Sequence, residues 1–259
     1  MSALASIASE RSLRALIFDV DGTLADTERD GHRVAFNRAF ADAGLDWHWD
    51  VARYGELLAV AGGRERILHF IDSDATHISL AQRDALARDL HARKTAHYVQ
   101  LVDTGEVRLR PGVARLIDET HAAGLRLAIA TTTSRANVDA LLAHSLPAAA
   151  NWFEVIATAD EAPSKKPDPQ VYQYVLDRLG LHADECLAVE DSALGLRAAL
   201  AAGIPALATV NDYTRDQDFG GALVVLDDLG AVGLPQLRAW HASISQGPAQ
   251  IRSDDEWEE

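Results

Sequence analysis

The chain is poor in sulfur and poor in positive charge. Its 259 residues include one cysteine and one methionine. Cys186 on its own cannot close an internal disulfide, so no bridge framework staples the fold. It lies in the apolar run CLAVE and reads as a small buried hydrophobe. No apolar run nears the ~18 residues of a membrane span. The opening MSALASIASERSL carries its charge after its short apolar part, unlike a secretory signal, and reads as a ragged end before the first strand. Lysine and arginine number 24 against 39 acidic residues, a net charge of −15. That surface repels nucleic acid and anionic lipid unless a basic run overrides it, and none is present. The expected protein is therefore cytoplasmic, with no nucleic-acid or membrane partner, and a monomer rather than an obligate oligomer. An anionic small substrate would be repelled as well, so a phosphate site must bring its own local cations.

What the chain does have is ample core material, with 48% hydrophobic and 24% charged residues. Short apolar runs alternate with helical patterns, the signature of an α/β sheet covered on both faces. The runs predict strands at Leu13–Phe18, Leu125–Ala130, Phe153–Ala157, Cys186–Val189 and Pro205–Thr209, with a weaker one at Ala222–Leu226. Helices are predicted at Val113–Ala123, Arg135–His144, Pro169–Leu179 and Ala193–Ala201, each ending near Gly124, Pro147, Gly180 or Gly203. Between Gly31 and Gly105 no strand is legible. That interval holds helical segments at Val34–Ala43, Tyr54–Val60, Arg66–Ile71 and near Leu80–Leu101. The expected organisation is a Rossmann-like parallel-sheet core (12–30 and 106–242), a helical cap inserted after the first strand (31–105), and an acidic tail (243–259).

The strongest local signal is Phe18-Asp19-Val20-Asp21-Gly22-Thr23-Leu24, directly after an apolar strand. Open α/β sheets bind ligands at strand carboxyl ends. Two carboxylates pressed together there need a cation or a shared proton to coexist. A solvated acidic turn is the bland alternative. A calcium loop of the helix–loop–helix kind would need helices on both sides and further oxygen ligands, whereas here a strand precedes.

DVDGTLADTE resembles the first motif of the haloacid-dehalogenase superfamily of phosphohydrolases, and three further motifs follow in order. Ile129-Ala130-Thr131-Thr132 is similar to the second, Lys165-Lys166-Pro167 to the third and Val189-Glu190-Asp191-Ser192 to the fourth. Together they span about 170 residues of the core. The resemblance implies Asp19 as nucleophile and Asp21 as acid/base, the latter held protonated for the leaving oxygen. It implies Mg2+ bound by Asp19, the Asp21 carbonyl and Asp191, with Glu190 acting through water. Thr131, the Thr132 amide and Lys166 would hold the phosphoryl group, Lys166 being favoured over Lys165 by its place before the proline. Hard oxygen ligands suit magnesium, and charge neutralisation dominates phosphoryl transfer. Asp21 and the 190–191 acids argue against dehalogenation, which needs neither.

The helical insertion resembles the cap of the sugar-phosphate and β-phosphoglucomutase branch. DTE, DWHWD, LLAVAGGRERI, HARKTAHYV, LRPGVARLI and ATTTSRANV resemble the CbbY-type branch, which removes phosphate from xylulose-1,5-bisphosphate, an inhibitor of Rubisco. The substrate-binding candidates in or beside the cap are Glu28, Gly62, Gly63, Arg64 and Lys94. Paired glycines permit close backbone approach, and arginine suits forked phosphate binding. Each of Glu28, Arg64 and Lys94 also has a bland reading as a solvated helix residue. His32 stands one residue from the family's usual histidine and reads as packing or surface. The other histidines, His91 among them, read as surface, and Trp47-His48-Trp49 as cap packing. Two rival functions stay open: a sugar phosphomutase with the same first half-reaction, and a catalytically silent binding member.

Overall fold

The computed structural model describes residues 12–60, 62–74 and 78–244. The expected ragged start and the acidic tail beyond Ile244 lie outside them.

Six strands form one parallel sheet: β1 (Ala15–Phe18), β2 (Arg126–Ala130), β3 (Phe153–Ala157), β4 (Cys186–Glu190), β5 (Ala206–Thr209) and β6 (Val225–Leu226). Their order is β3-β2-β1-β4-β5-β6, so β1 lies between β2 and β4. Each residue of β1 is buried, and its side chains divide by twos. Leu16 and Phe18 enter one apolar cluster, while Ala15 and Ile17 enter the other. That division is the pleat at work, with helices on both faces removing both sets from water.

The chain order of helices is α1 (Arg33–Asp42), α2 (Val51–Leu57), α3 (Gly63–Ser73), α4 (Leu80–Asp103), α5 (Val113–Ala122), α6 (Arg135–Ser145), α7 (Gln170–Leu179), α8 (Ala193–Ala201) and α9 (Leu234–Ser243). The last was not expected. Gly233 and Pro235 open it and Leu237 is fully buried on the core, so the expected 243 boundary falls on its final residue. The first four follow β1, and among the described residues no strand interrupts them, as the sequence predicted. They carry a hydrophobic cluster of their own around Phe36, Phe40, Trp49, Tyr54 and Ile67. Trp49 is fully buried there, Trp47 packs on its edge, and His48 is exposed.

Two short crossings join this insertion to the sheet. Asp26 N–H donates to the Arg108 carbonyl at 3.2 Å, and Ala25 bridges Leu109. Arg110, just beyond, is buried, and its guanidinium donates to the carbonyls of Gly22, Thr209, Val210 and Asp227. It ties the loop after β1 to the loops after β5 and β6.

Candidate active site

The strand order reverses its direction of travel at β1, between β2 and β4, and this switch point is where ligands enter such sheets. Phe18 is in register with both Ile129 and Val189. The next residues of the three strands are Asp19, Ala130 and Glu190, so the first and fourth motifs meet by register alone. Asp19 N–H donates to the Val189 carbonyl at 3.0 Å.

Lys166 joins them. Its Nζ donates to Asp19 Oδ1 at 2.7 Å, Glu190 Oε1 at 2.6 Å and the Ala130 carbonyl at 2.9 Å. All three of its protons are used, and the lysine that reaches Asp19 is the one preceding the proline. Lys165 donates instead to the Thr132 carbonyl at 3.2 Å. The Tyr172 hydroxyl also donates to Glu190 Oε1, leaving Glu190 Oε2 buried without a partner. Gly195 is required beside it, because a Cβ there would collide with Oε2.

Asp19, Glu190 and Asp191 are the one group of three among the described residues able to hold a metal ion, their ligand atoms lying within 4.8 Å of one another. Three carboxylates against one ammonium leave excess negative charge, and the proton affinities register it. Burial pushes the Asp19 carboxyl up to about 7, with Glu190 and Asp21 adding to the rise and Lys166 opposing it. Burial, then Asp19 and Glu190, raise Asp191 well above its usual range. Burial would lower Lys166, but Asp19 and Glu190 outweigh it and raise it. Lys166 offsets only part of this negative charge, and a hard cation would offset more of it. The donor set fits one: all oxygen, buried, and charged beyond what the lysine offsets. Gly22, at φ 82°, turns closely enough that a Cβ would collide with Asp191 Oδ2.

Asp21 points elsewhere. Its Oδ1 accepts from Thr27 Oγ1 at 2.7 Å and pairs with His32 Nε2 at 2.9 Å. His32 Nδ1 lies 3.0 Å from Lys94 Nζ. An ammonium only donates, so Nδ1 accepts and Nε2 carries the proton to Asp21. Burial alone would raise the Asp21 carboxyl, but His32, the bonds from His32 and Thr27, and Lys94 together hold it well below the carboxylate range. These contacts favour the Asp21 carboxylate, which ends a line Lys94–His32–Asp21.

Of the reading of His32 as packing or surface, the surface half is corrected: the ring is buried, packs 4.2 Å from Tyr98 between centroids and also pairs with Asp21. The residues Glu28–His32 form a π-helical turn rather than an α-helical one. The wider turn absorbs the one-residue offset and brings the imidazole back onto Asp21, as π-bulges at functional sites do.

Beyond these groups lies a cavity of about 420 Å³, a size suited to a small metabolite. Asp19, Asp21, Glu28, Gly62, Gly63, Arg64, Lys94, Thr131, Thr132, Lys166 and Asp191 all line it, and Glu190 sits beneath. Glu28 accepts from the Tyr54 hydroxyl, which fixes it against α2. Gly62 takes φ 97° at the start of α3, a backbone that favours glycine. Arg64, in the first turn, lines the cavity and pairs with Asp84 at 3.7 Å. Arg66 lines it too but is buried, donating to the Leu57 and Val60 carbonyls and the Tyr54 hydroxyl. Lys94 is buried, whereas Arg93 turns outward to Asp89. His91, expected at the surface, lines the cavity, and burial with the Lys94 charge pushes its imidazole down to about 4. Sequence reasoning also missed Asn211, which donates to Asp191 Oδ2 at 2.7 Å, and Tyr172. Neither belongs to a motif with a spacing to find it by.

A parallel sheet with a buried lysine between a strand-end aspartate and a strand-end acid cluster defines a class. The chain belongs to the haloacid dehalogenase-like hydrolases, whose family model matches residues 13–203. Within that family it is similar to the CbbY protein of Cupriavidus necator, at 50% identity over 251 residues, covering 88% of this chain and 97% of that protein. CbbY of Rhodobacter capsulatus is 49% identical over 87% of this chain and 99% of its own length. The crystal structure of a CbbY variant from Rhodobacter sphaeroides in complex with xylulose-1,5-bisphosphate superposes with a TM-score of 0.78 at 43% identity, covering 87% of this chain and 99% of that one. The chain is a phosphatase of this family. Among the described residues no helix is long and apolar enough to cross a membrane.

Proposed function

We propose that the chain hydrolyses a small sugar bisphosphate, xylulose-1,5-bisphosphate giving xylulose 5-phosphate and phosphate, through an aspartyl-phosphate on Asp19 with Mg2+ as cofactor. One observation carries the reading: Lys166 spans Asp19 and Glu190 at 2.7 and 2.6 Å, at the base of the cavity that residues 31–105 help to wall. We take those residues as the substrate-selecting cap.

Magnesium held by Asp19, the Asp21 carbonyl and Asp191, with Glu190 behind them, would offset charge on the phosphoryl oxygens. Asp19 attacks phosphorus, and its new P–O bond forms as the ester P–O bond breaks. Thr131, the Thr132 amide and Lys166 hold the phosphoryl oxygens. The leaving oxygen takes a proton from Asp21. That proton comes along the line described above: His32 passes its Nε2 proton to Asp21 while Nδ1 takes one from Lys94, whose ammonium burial has already lowered to about 8 against the pull of Asp21 and Glu28. In the second half Asp21, again a carboxylate, takes a proton from water as that water attacks the aspartyl-phosphate. The proton returns to Lys94 by the same line. Arg64 and Lys94, with Gly62, Gly63 and Glu28, would bind the far end of the substrate.

The test is phosphate release from phosphorylated pentoses and hexoses, with and without Mg2+. Release fastest from the bisphosphate and lost on chelation supports the reading. An isomer formed without free phosphate would make the chain a mutase, and no turnover of any ester would make it a silent member.

A further inference from the structure

The turn after β5 touches both the acid cluster and the helical insertion. Asn211 Nδ2 donates to Asp191 Oδ2 at 2.7 Å, and its own Oδ1 accepts from Tyr213 N–H at 2.9 Å. The Thr214 hydroxyl accepts from Asn211 N–H at 3.0 Å, and Thr214 N–H donates to the Asn211 carbonyl at 3.1 Å. The side chain of Asn211 is thus bolted between a carboxylate and the backbone of Tyr213, with little freedom to move alone.

Tyr213 faces the other way. Although it follows a core strand, its ring packs on the aromatic cluster of the insertion. It meets Tyr54 edge-on, with centroids 5.9 Å apart at 68°. It also covers Gly55, where an added Cβ would stand 3.1 Å from the ring. Its hydroxyl has no partner, so the contact is one of shape. The neighbouring Asp212–Arg29 pair, at 2.6 Å, is more than half exposed on both sides and contributes little.

We propose that Tyr213 and Asn211 are positioning residues that couple the seating of the helical insertion to the orientation of Asp191. With α2 seated on Tyr213, the turn is held and Asn211 fixes one oxygen of Asp191 in the cation site. With α2 withdrawn, the turn loses that support and Asp191 is less well placed. Cation binding and closure over the substrate then favour each other, as linkage requires. The inference rests on the cation reading made under Proposed function.

Calorimetric titration of Mg2+ into the full chain tests it without recourse to turnover. Wild type must bind Mg2+; if it does not, the cation reading itself falls and the coupling with it. Given that binding, Asn211→Ala should weaken it about tenfold or more, the usual effect of losing a hydrogen bond to a charged group. Tyr213→Ala should weaken it about three- to fivefold, and Tyr213→Phe should match wild type. Gly55→Ala, on the insertion and outside the cavity, should also weaken binding, although alanine favours a helix. Both Tyr213→Ala and Gly55→Ala should add nothing once Asn211 is alanine, because their effect passes through it. Wild-type affinity in Tyr213→Ala, or full multiplication of its effect with that of Asn211→Ala, would overturn the coupling and leave the cation site standing.

Discussion

The two walls of the cavity are built on different principles. On the sheet side, each reactive group leaves the end of a buried parallel strand and meets partners that register places there, as Asp19, Ala130 and Glu190 do around Lys166. On the helical side, Glu28, His32, Arg64 and Lys94 come from three helical elements and reach the cavity by side-chain direction and one widened turn. The first wall is fixed by backbone, which suits chemistry that tolerates little displacement. The second is fixed by side-chain packing, which suits the selection of a substrate.

Substitutions on the two walls should therefore fail differently. Asp19→Asn should remove turnover by at least about 10⁴-fold, as nucleophile removal does elsewhere, while circular dichroism stays that of wild type. Lys166→Met should abolish turnover and also lower stability by up to about 3 kcal/mol, less if Asp19 protonates once its partner is gone. Urea unfolding measures that loss. On the helical wall, His32→Ala should cut kcat about 10²-fold through loss of the proton line, with KM little changed. Arg64→Ala should raise KM for a bisphosphate about tenfold and leave that for a monophosphate within about twofold. Equal effects on both substrates would take Arg64 out of the far end of the site.

The smallest effect concerns His91. Its imidazole is pushed down to about 4 from the ordinary 6.5 by burial and then by Lys94, with Glu65 opposing. The unfolded chain takes up this proton first, so the contribution is whole above about pH 6.5 and lost as pH falls towards about 4. Unfolding midpoints at several pH values should show that slope in wild type and a shallower one in His91→Gln.

This difference between walls also explains what the sequence could reveal. Asp19, Thr131, Glu190 and Asp191 end or follow short apolar strands, so their convergence was readable from the alternation of elements. Lys166 lies instead in the loop between β3 and α7, and was legible only through the resemblance of Lys165-Lys166-Pro167 to the family's third motif. The insertion was readable as helical, because no strand pattern interrupts residues 31–105. His32 was not, because a 3.6-residue period places it one position off and only the π-helical turn returns it to Asp21. Arg64 and Arg66 share the first turns of α3, and nothing in GGRERI says that Arg66 is the one turned inward. Asn211 and Tyr213 lie in a turn with no motif, and their partners are distant in sequence. Only α9 had a signal that went unread: Pro235 at its start, with Leu234, Leu237 and His241 at helical spacing.

The most direct measurement is to quench the chain with acid during turnover of a radiolabelled sugar bisphosphate and to map the label by peptide. The account predicts acid-stable, hydroxylamine-labile phosphate on the peptide holding Asp19, lost in Asp19→Asn and absent when magnesium is chelated. Rapid phosphate release with no label on that peptide, or with label on another residue, would contradict it.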